Sequence, residues 1–386
     1  MVKALFKNNG ILLPLLLLVL LFQMTRWGSY LFAVFIILAA ISRIWSKVDS
    51  NTLWLLLFSV SLVILCPEIK LSTFGFICLL GPCTFYSLGR TMTRKSFYDE
   101  QKIILLILLV IVAESVLMWG SVLRNIFTSG SLIIDVSDMG RMLSVEGGEA
   151  ITATLFGLVA SMGISGLGTL FGYDNRKQLM PWLFFICFVL SLLTTFYLIN
   201  RTAIVVGLIA LALIVIYKSN NNVLRLVFLV VVLAIIGYAI YSSGFIDQQV
   251  IAAYSMRMDE DAGTGGDRFW RWGDAVVRMF KYPLGWINEN APYSYVHNLW
   301  LDVARMAGVF PFVFLLIPTI SSLRNAYRLF RNKNSNLSVV ILSLYASMFV
   351  ASFMEPVIEG CIYFFLLFCW LWGIEKEFVN KKVVTN

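Results

Sequence analysis

The chain contains one histidine, His297, in the segment YVHNLWLDVARMAG. Imidazole is the side-chain type that exchanges a proton near neutral pH without help from its surroundings. His297 is therefore the first candidate for a general base. Its neighbours Tyr295, Asn298 and Trp300 add two aromatic rings suited to stacking and an amide suited to hydrogen bonding with hydroxyls. A second group is cationic: Arg201 in INRTAIVVG, Arg141 in GRMLS, and Arg268, Arg271 and Arg278 in GGDRFWRWGDAVVRMFKYP. A guanidinium fork meets two phosphate oxygens at once, so these residues together suggest an anion site beside a proton acceptor.

Metal chemistry has weaker footing. Asp259 and Asp261 flank Glu260 in a D-x-D, the spacing that holds a divalent ion in many glycosyltransferases, but MDEDAGTGG reads as a flexible acidic stretch. The six cysteines form no C-x-x-C pair and have no clustered histidines, so neither zinc nor a redox centre is indicated. The site is expected to work without metal or cofactor.

The elements that must position these groups are membrane helices. Charged residues make up 13% of the chain and hydrophobic ones 59%, against about 25% charged in a soluble domain, and the mean hydropathy is +0.84. The expected class is an all-α, polytopic integral membrane protein. Apolar runs predict twelve spans, starting near Ile11, Gly28, Thr52, Leu71, Lys102, Ala150, Leu179, Thr202, Val223, Val296, Leu337 and Val357. Lys3 and Lys7 precede the first run in the manner of a signal peptide, yet no small-x-small cleavage pattern follows, so a first span is expected. Residues 1–386 form one transmembrane domain with two long connections, 124–149 and 244–296.

Positive charge sets the orientation. With the N-terminus inside, 19 Lys and Arg fall on inner segments and 10 on outer ones, so both termini are expected in the cytoplasm and both long loops outside. This asymmetry accounts for most of the +8 net charge, and no nucleic acid is needed to explain it. At 100° per residue, Arg268, Arg271 and Arg278 project within roughly 80° of one another. Phe269, Trp272, Val276, Met279 and Phe280 fill the adjoining face. Such a helix suits the membrane surface, apolar side down with its arginine edge at headgroup depth. For any one of these arginines, snorkelling to lipid phosphates is the plainer alternative. Within the spans, Asp302 and Arg305 have the i,i+3 spacing of a pair, and Glu114 is a further intramembrane charge.

Four landmarks in order carry a resemblance: the Arg141 loop, the N-R-T-A span start, the helix from Arg268 ending in KYPLGW, and HNLWLDVARMAG. The chain resembles the superfamily of bacterial O-antigen polymerases and O-antigen ligases. In the ligases, His and Asn/Ser/Gln precede nine residues, Gly, two residues and Gly. Here Gly308 follows His297 and Asn298 at the expected distance, but Pro311 stands in place of the second glycine. SFMEPVIEG also resembles the family's ending. With the Pro311 departure, polymerase is preferred to ligase.

The resemblance implies a GT-C-type, metal-independent glycosyltransferase of the bacterial inner membrane with a periplasmic site. Its substrates would be undecaprenyl-diphosphate-linked oligosaccharides, and a chain-length regulator protein would be a further partner beside the membrane lipids. It assigns diphosphate binding to Arg201 and Arg268, less securely to Arg141, and acceptor activation to His297. Arg271 and Arg278 join that set only through helix geometry. The alternative from another class is a flippase or transporter of the lipid-linked sugar, which would place charge along the spans.

Overall fold

A computed structural model describes residues 34, 36–38, 48–66, 68–69, 72–95, 100–130, 142–144, 150–173, 179–218, 255, 268–331 and 335–385. The expected span starts Ile11, Gly28 and Val223 lie outside these residues. The described chain is almost wholly helical: α1 (Ser50–Leu65), α2 (Thr73–Lys95), α3 (Glu100–Ser129), α4 (Ala153–Ile164), α5 (Gly166–Gly172), α6 (Leu179–Tyr197), α7 (Arg201–Lys218), α8 (Arg268–Lys281), α9 (Leu299–Ala307), α10 (Val309–Arg331), α11 (Asn336–Met354) and α12 (Val357–Thr385). Five of the described helices, α3, α6, α10, α11 and α12, are long and apolar enough to cross a membrane, which makes this a membrane-embedded protein. Strands β1 (Met142–Ser144) and β2 (Ala150–Thr152) pair antiparallel in the first long connection. They are a small addition to the expected all-α class.

Local chemistry explains where the helices start and stop. Asp49 and Thr52 form a reciprocal capping box at α1, with the Thr52 N–H donating to Asp49 over 2.9 Å. The expected span from Ala150 is divided into β2, α4 and α5. At the break, Gly166 lets the backbone approach Phe184 in α6, where a Cβ would lie 1.9 Å from the Phe184 carbonyl oxygen.

The core runs between α2 and α12. A Cβ on Gly89 would sit 2.1 Å from the Trp370 carbonyl, and one on Gly373 would sit 2.1 Å from the Tyr86 carbonyl. Small residues thus set how closely these helices cross, as is common in membrane packing. An aromatic chain of Trp300, Phe353, Phe349, Tyr345 and Phe368 ties α9 to α11 and α12, its closest ring centroids 4.6 Å apart.

One correction concerns the span expected from Val296. The sequence is apolar on both sides of Gly308, from Met306 to Pro318, but the chain turns at Gly308, whose φ is +83°, so nine-residue α9 is followed by membrane-length α10. His297 therefore heads a short helix beside the membrane bundle. Any side chain at Gly308 would meet the Pro283 carbonyl, 2.0 Å from an ideal Cβ. The Val309 N–H donates to that carbonyl over 3.0 Å, and the Trp286 N–H donates to Arg305 O over 2.8 Å. The KYPLGW turn is thus docked on the end of α9, and two of the sequence landmarks form one unit. Pro311 lies in the first turn of α10, where a missing N–H costs no helical hydrogen bond.

A second, smaller core lies under α8 and α9. Ala275, Met279, Trp286, Tyr293, Val296, Leu301 and Ala304 are buried together there. The outward side of α8 leaves Phe269, Trp270, Val277 and Phe280 exposed.

Candidate functional site

His297 sits on a strained backbone, with φ +59°, a conformation non-glycine residues seldom adopt. What holds it there is Asp302, on the first turn of α9. One carboxylate oxygen accepts the Val296 N–H over 2.8 Å and the other accepts the Asn298 N–H over 3.0 Å. The residue on each side of His297 is thereby clamped by a single buried side chain. Asn298 completes the loop as the N-cap of α9, its side chain accepting the N–H groups of Trp300 and Leu301.

The imidazole is turned towards Glu355. His297 Nδ1 lies 3.8 Å from Glu355 Oε2, and that nitrogen is buried with no hydrogen-bond partner among the described residues. Glu355 is where the separate elements meet. Its other oxygen is 3.8 Å from an Arg268 guanidinium nitrogen and accepts the Thr202 hydroxyl over 2.9 Å. The carboxylate side chain is 7% exposed while those of Arg268 and His297 are each 25% exposed, so the acid is at the bottom of the group and the two basic groups face outward.

Four chain segments supply these residues. Glu355 caps the C-terminus of α11 with extended φ and ψ, and Pro356 prevents the helix from continuing. Thr202 is the second residue of α7, whose start is set by Asn200, which accepts the Ala203 N–H through its side chain. Arg268 opens α8. That helix is tied to the His297 loop by Trp272 donating to Val296 O over 3.2 Å and Arg271 donating to Tyr295 O over 3.4 Å.

The expected anion-binding arginines therefore separate. Arg268 joins the His297 and Glu355 cluster. Arg201 is the first residue of α7, adjacent to Thr202, and its side chain lies outside the described residues. Arg271 holds the Tyr295 carbonyl and stacks over Tyr293 at 5.9 Å. Arg278 pairs with Asp274 over 2.6 Å, and the Tyr293 hydroxyl donates to the same carboxylate oxygen over 2.7 Å. Burial pushes the Asp274 carboxyl up, but the hydrogen bonds from Tyr293 and Arg278 outweigh it and hold the group below the usual carboxylate range. The Asp274 hydrogen bond raises Arg278 in turn. Burial and the same carboxylate raise the Tyr293 phenol. Arg141 and the D-x-D of Asp259 and Asp261 lie outside the described residues.

Of the expected sugar contacts, Tyr295 is well placed. Its ring edge meets His297 with centroids 6.3 Å apart, and Arg305 lies over it at 5.7 Å. Arg305 is ion-paired with Glu359 at the start of α12 and lies 3.8 Å from Asp302, consistent with the i,i+3 spacing seen in sequence. A cavity of about 470 Å³ adjoins this group, lined among others by Glu68, Glu289, Tyr293, Tyr295, Arg305 and Glu359. Trp300 instead points into the core, where its indole N–H donates to Thr319 over 3.0 Å and its ring packs on Phe353.

Glu355 is the residue that sequence reasoning misses. Its signal is an acid placed immediately before a proline, between two membrane-length apolar runs, in SFMEPVIEG. Its partners are 58 to 153 positions away, as the numbers of His297 and Thr202 show. No family model matches the chain, and a search of curated proteins finds no match.

Proposed function

We propose that the chain is a membrane glycosyltransferase that polymerises oligosaccharide repeat units carried on undecaprenyl diphosphate. The convergence of His297, Arg268 and Thr202 on Glu355 carries this proposal. An imidazole and a guanidinium facing one carboxylate, with a cavity lined by tyrosines and carboxylates reaching Tyr295, support the reading. The proposed setting is the bacterial inner membrane, with twelve spans in a GT-C-type arrangement, both termini cytoplasmic and the site in the periplasm. The exposed apolar side of α8 would rest on the outer leaflet and guide the polyprenyl donor to Arg268.

In the proposed reaction, a hydroxyl oxygen of the acceptor sugar attacks the anomeric carbon of the donor glycan. The anomeric bond to the diphosphate breaks, and undecaprenyl diphosphate leaves with the electron pair. The hydroxyl proton passes to the imidazole nitrogen turned away from Glu355. Glu355 supports that transfer by receiving the other ring N–H and stabilising the imidazolium as it forms. The 3.8 Å separation is longer than a hydrogen bond and would shorten when substrate excludes water. Arg268, with Arg201 at the start of α7, would neutralise charge growing on the leaving diphosphate, where one preorganised donor is worth roughly 10²–10³ in rate.

Single-turnover assays with lipid-linked substrate test the proposal. His297→Ala and Glu355→Gln should each lose about 10²-fold or more in turnover, with lipid-donor binding and protein level retained. Near wild-type turnover in His297→Ala removes the imidazole from the reaction. In cells, gene deletion should leave a single repeat attached to lipid A-core, whereas loss of a ligase leaves none.

A further inference from the structure

The opposite end of α10 carries a second group of arginines, unrelated to the site above. Arg324, Arg328 and Arg331 are exposed and line one groove with Ile320, Leu323 and Tyr327, about 630 Å³ in volume. At 100° per residue the three arginines fall within roughly 60° of one another, along about 10 Å of helix. The other side of the same helix is committed to the protein: Ser322, Asn325, Ala326 and Leu329 are buried, with Ser322 donating to Glu375 over 2.5 Å. Among the described residues, none of the three arginines has an ion pair or hydrogen bond. This differs from Arg90, Arg268, Arg278 and Arg305, which all face carboxylates.

The groove's place in the membrane decides what reaches it. Helix α10 starts next to Gly308 at the candidate site and runs 23 residues to Arg331, about 35 Å at 1.5 Å per residue. That length is enough to cross the hydrocarbon core, roughly 30 Å thick, and puts the arginines towards the headgroups of the leaflet opposite the site. Below them Ile320 and Leu323 are exposed at 40% and 39%, at the depth of acyl chains. Charge with no partner among the described residues sits above exposed apolar surface.

We infer that this groove is a binding site for an anionic diacyl glycerophospholipid, its phosphate between the guanidiniums of Arg324, Arg328 and Arg331 and an acyl chain along Leu323 and Ile320. Planar forks hold a phosphate in a defined geometry, unlike the diffuse attraction of an ammonium. The lipid would hold the end of α10 in register while the other end carries Gly308 and the α9 junction. A generic snorkelling role requires only positive charge, and lysine would supply it equally well.

The test uses full-length protein purified in mild detergent, then exchanged into nanodiscs of phosphatidylcholine with or without phosphatidylglycerol. Native mass spectrometry should find phosphatidylglycerol retained on wild type in preference to phosphatidylcholine. Retention should fall at least tenfold in the Arg324→Lys, Arg328→Lys, Arg331→Lys triple variant, which keeps the charge and the topology signal. Arg328→Gln alone, should the triple variant fold poorly, should show a smaller loss of the same kind, and Arg268→Lys should show none. Equal retention by the lysine variant, equal retention of phosphatidylcholine, or displacement by millimolar inorganic phosphate alone overturns the inference. So does retention of a polyprenyl diphosphate in place of the diacyl lipid.

Discussion

Asp302 and Asp274 each anchor part of the candidate site, one on α9 and one on α8, and they do so in different surroundings. The Asp302 side chain is 1% exposed and spends both oxygens on backbone N–H groups either side of His297. Asp274 is 26% exposed and receives two side chains, Arg278 and Tyr293. A buried carboxylate bonded to backbone fixes the path of the chain, because no water replaces it when it is lost. A part-exposed one bonded to side chains fixes rotamers that water can satisfy in its absence. Unmet buried N–H groups cost about 1–3 kcal/mol each, whereas exposed ion pairs contribute about 0–1 kcal/mol. The two regions should therefore respond to the same chemical change with very different severity.

Asp302→Asn gives the largest expected effect. Asparagine keeps the size but presents an NH₂ group to one of the two backbone N–H donors, so the clamp on His297 is lost on one side. Turnover per folded molecule should fall about 10- to 100-fold as the imidazole leaves its position opposite Glu355, a misplacement cost of the kind expected when geometry slackens by an ångström. Donor binding, which the proposed reaction assigns to the arginines, should change little. Single-turnover rates normalised to folded protein, alongside lipid-donor affinity, measure this. Unchanged turnover per folded molecule would reduce Asp302 to a stabilising residue and erase the functional half of the contrast.

The same contrast explains what could be read from sequence. Apolar runs disclosed α3, α6, α11 and α12 because membrane helices must satisfy their own backbone, and that constraint is written in consecutive residues. The amphipathic pattern likewise disclosed α8. The turn at Gly308 was hidden because MAGVFPF is apolar throughout; the turn answers to Pro283 and Trp286, more than twenty positions earlier. The hairpin before α4 was hidden for a related reason, since strand pairing depends on a partner. For the site, His297 stood out by being unique and Arg268 by its place in the helix, and Asp302 was noted for a pairing with Arg305. Its two backbone contacts could not be inferred, because they depend on the left-handed turn at His297. Glu355 was marked only by its place before Pro356 between two apolar runs, which says nothing of its distant partners.

A middle-sized effect separates two arginines of one helix. Among the described residues Arg268 has a single carboxylate contact, 3.8 Å from Glu355, whereas Arg278 is held by Asp274 over 2.6 Å. Lysine retains charge but loses the fork. Arg268→Lys should lower turnover about tenfold or more, and Arg278→Lys by less than about threefold, since Arg278 is held by Asp274 within α8 and has no part in the proposed reaction. Steady-state rates at saturating acceptor make the comparison. Equal losses would mean that the two arginines share one role and that the surface pair belongs to the reaction after all.

The smallest effect is a pH-dependent difference in stability at the surface pair. The folded Asp274 carboxyl is held below its ordinary range, so its contribution is present above the unfolded value, near 3.9, and is lost as pH falls through the lower folded value. Arg278 is raised; the matching contribution is present below the unfolded arginine value and would vanish only at strongly alkaline pH. Asp274→Asn should thus be less stable than wild type by about 0.5–1 kcal/mol at pH 7. That gap should persist down to the unfolded carboxylate value, near 3.9, and close only as pH falls through the lowered folded value. Thermal melting of both proteins in detergent from pH 2.5 to 7, with turnover measured at pH 7, reads the two quantities together. A gap that stays constant with pH would show that Asp274 acts through shape alone, and a large loss of turnover would move it from the edge of α8 to the site.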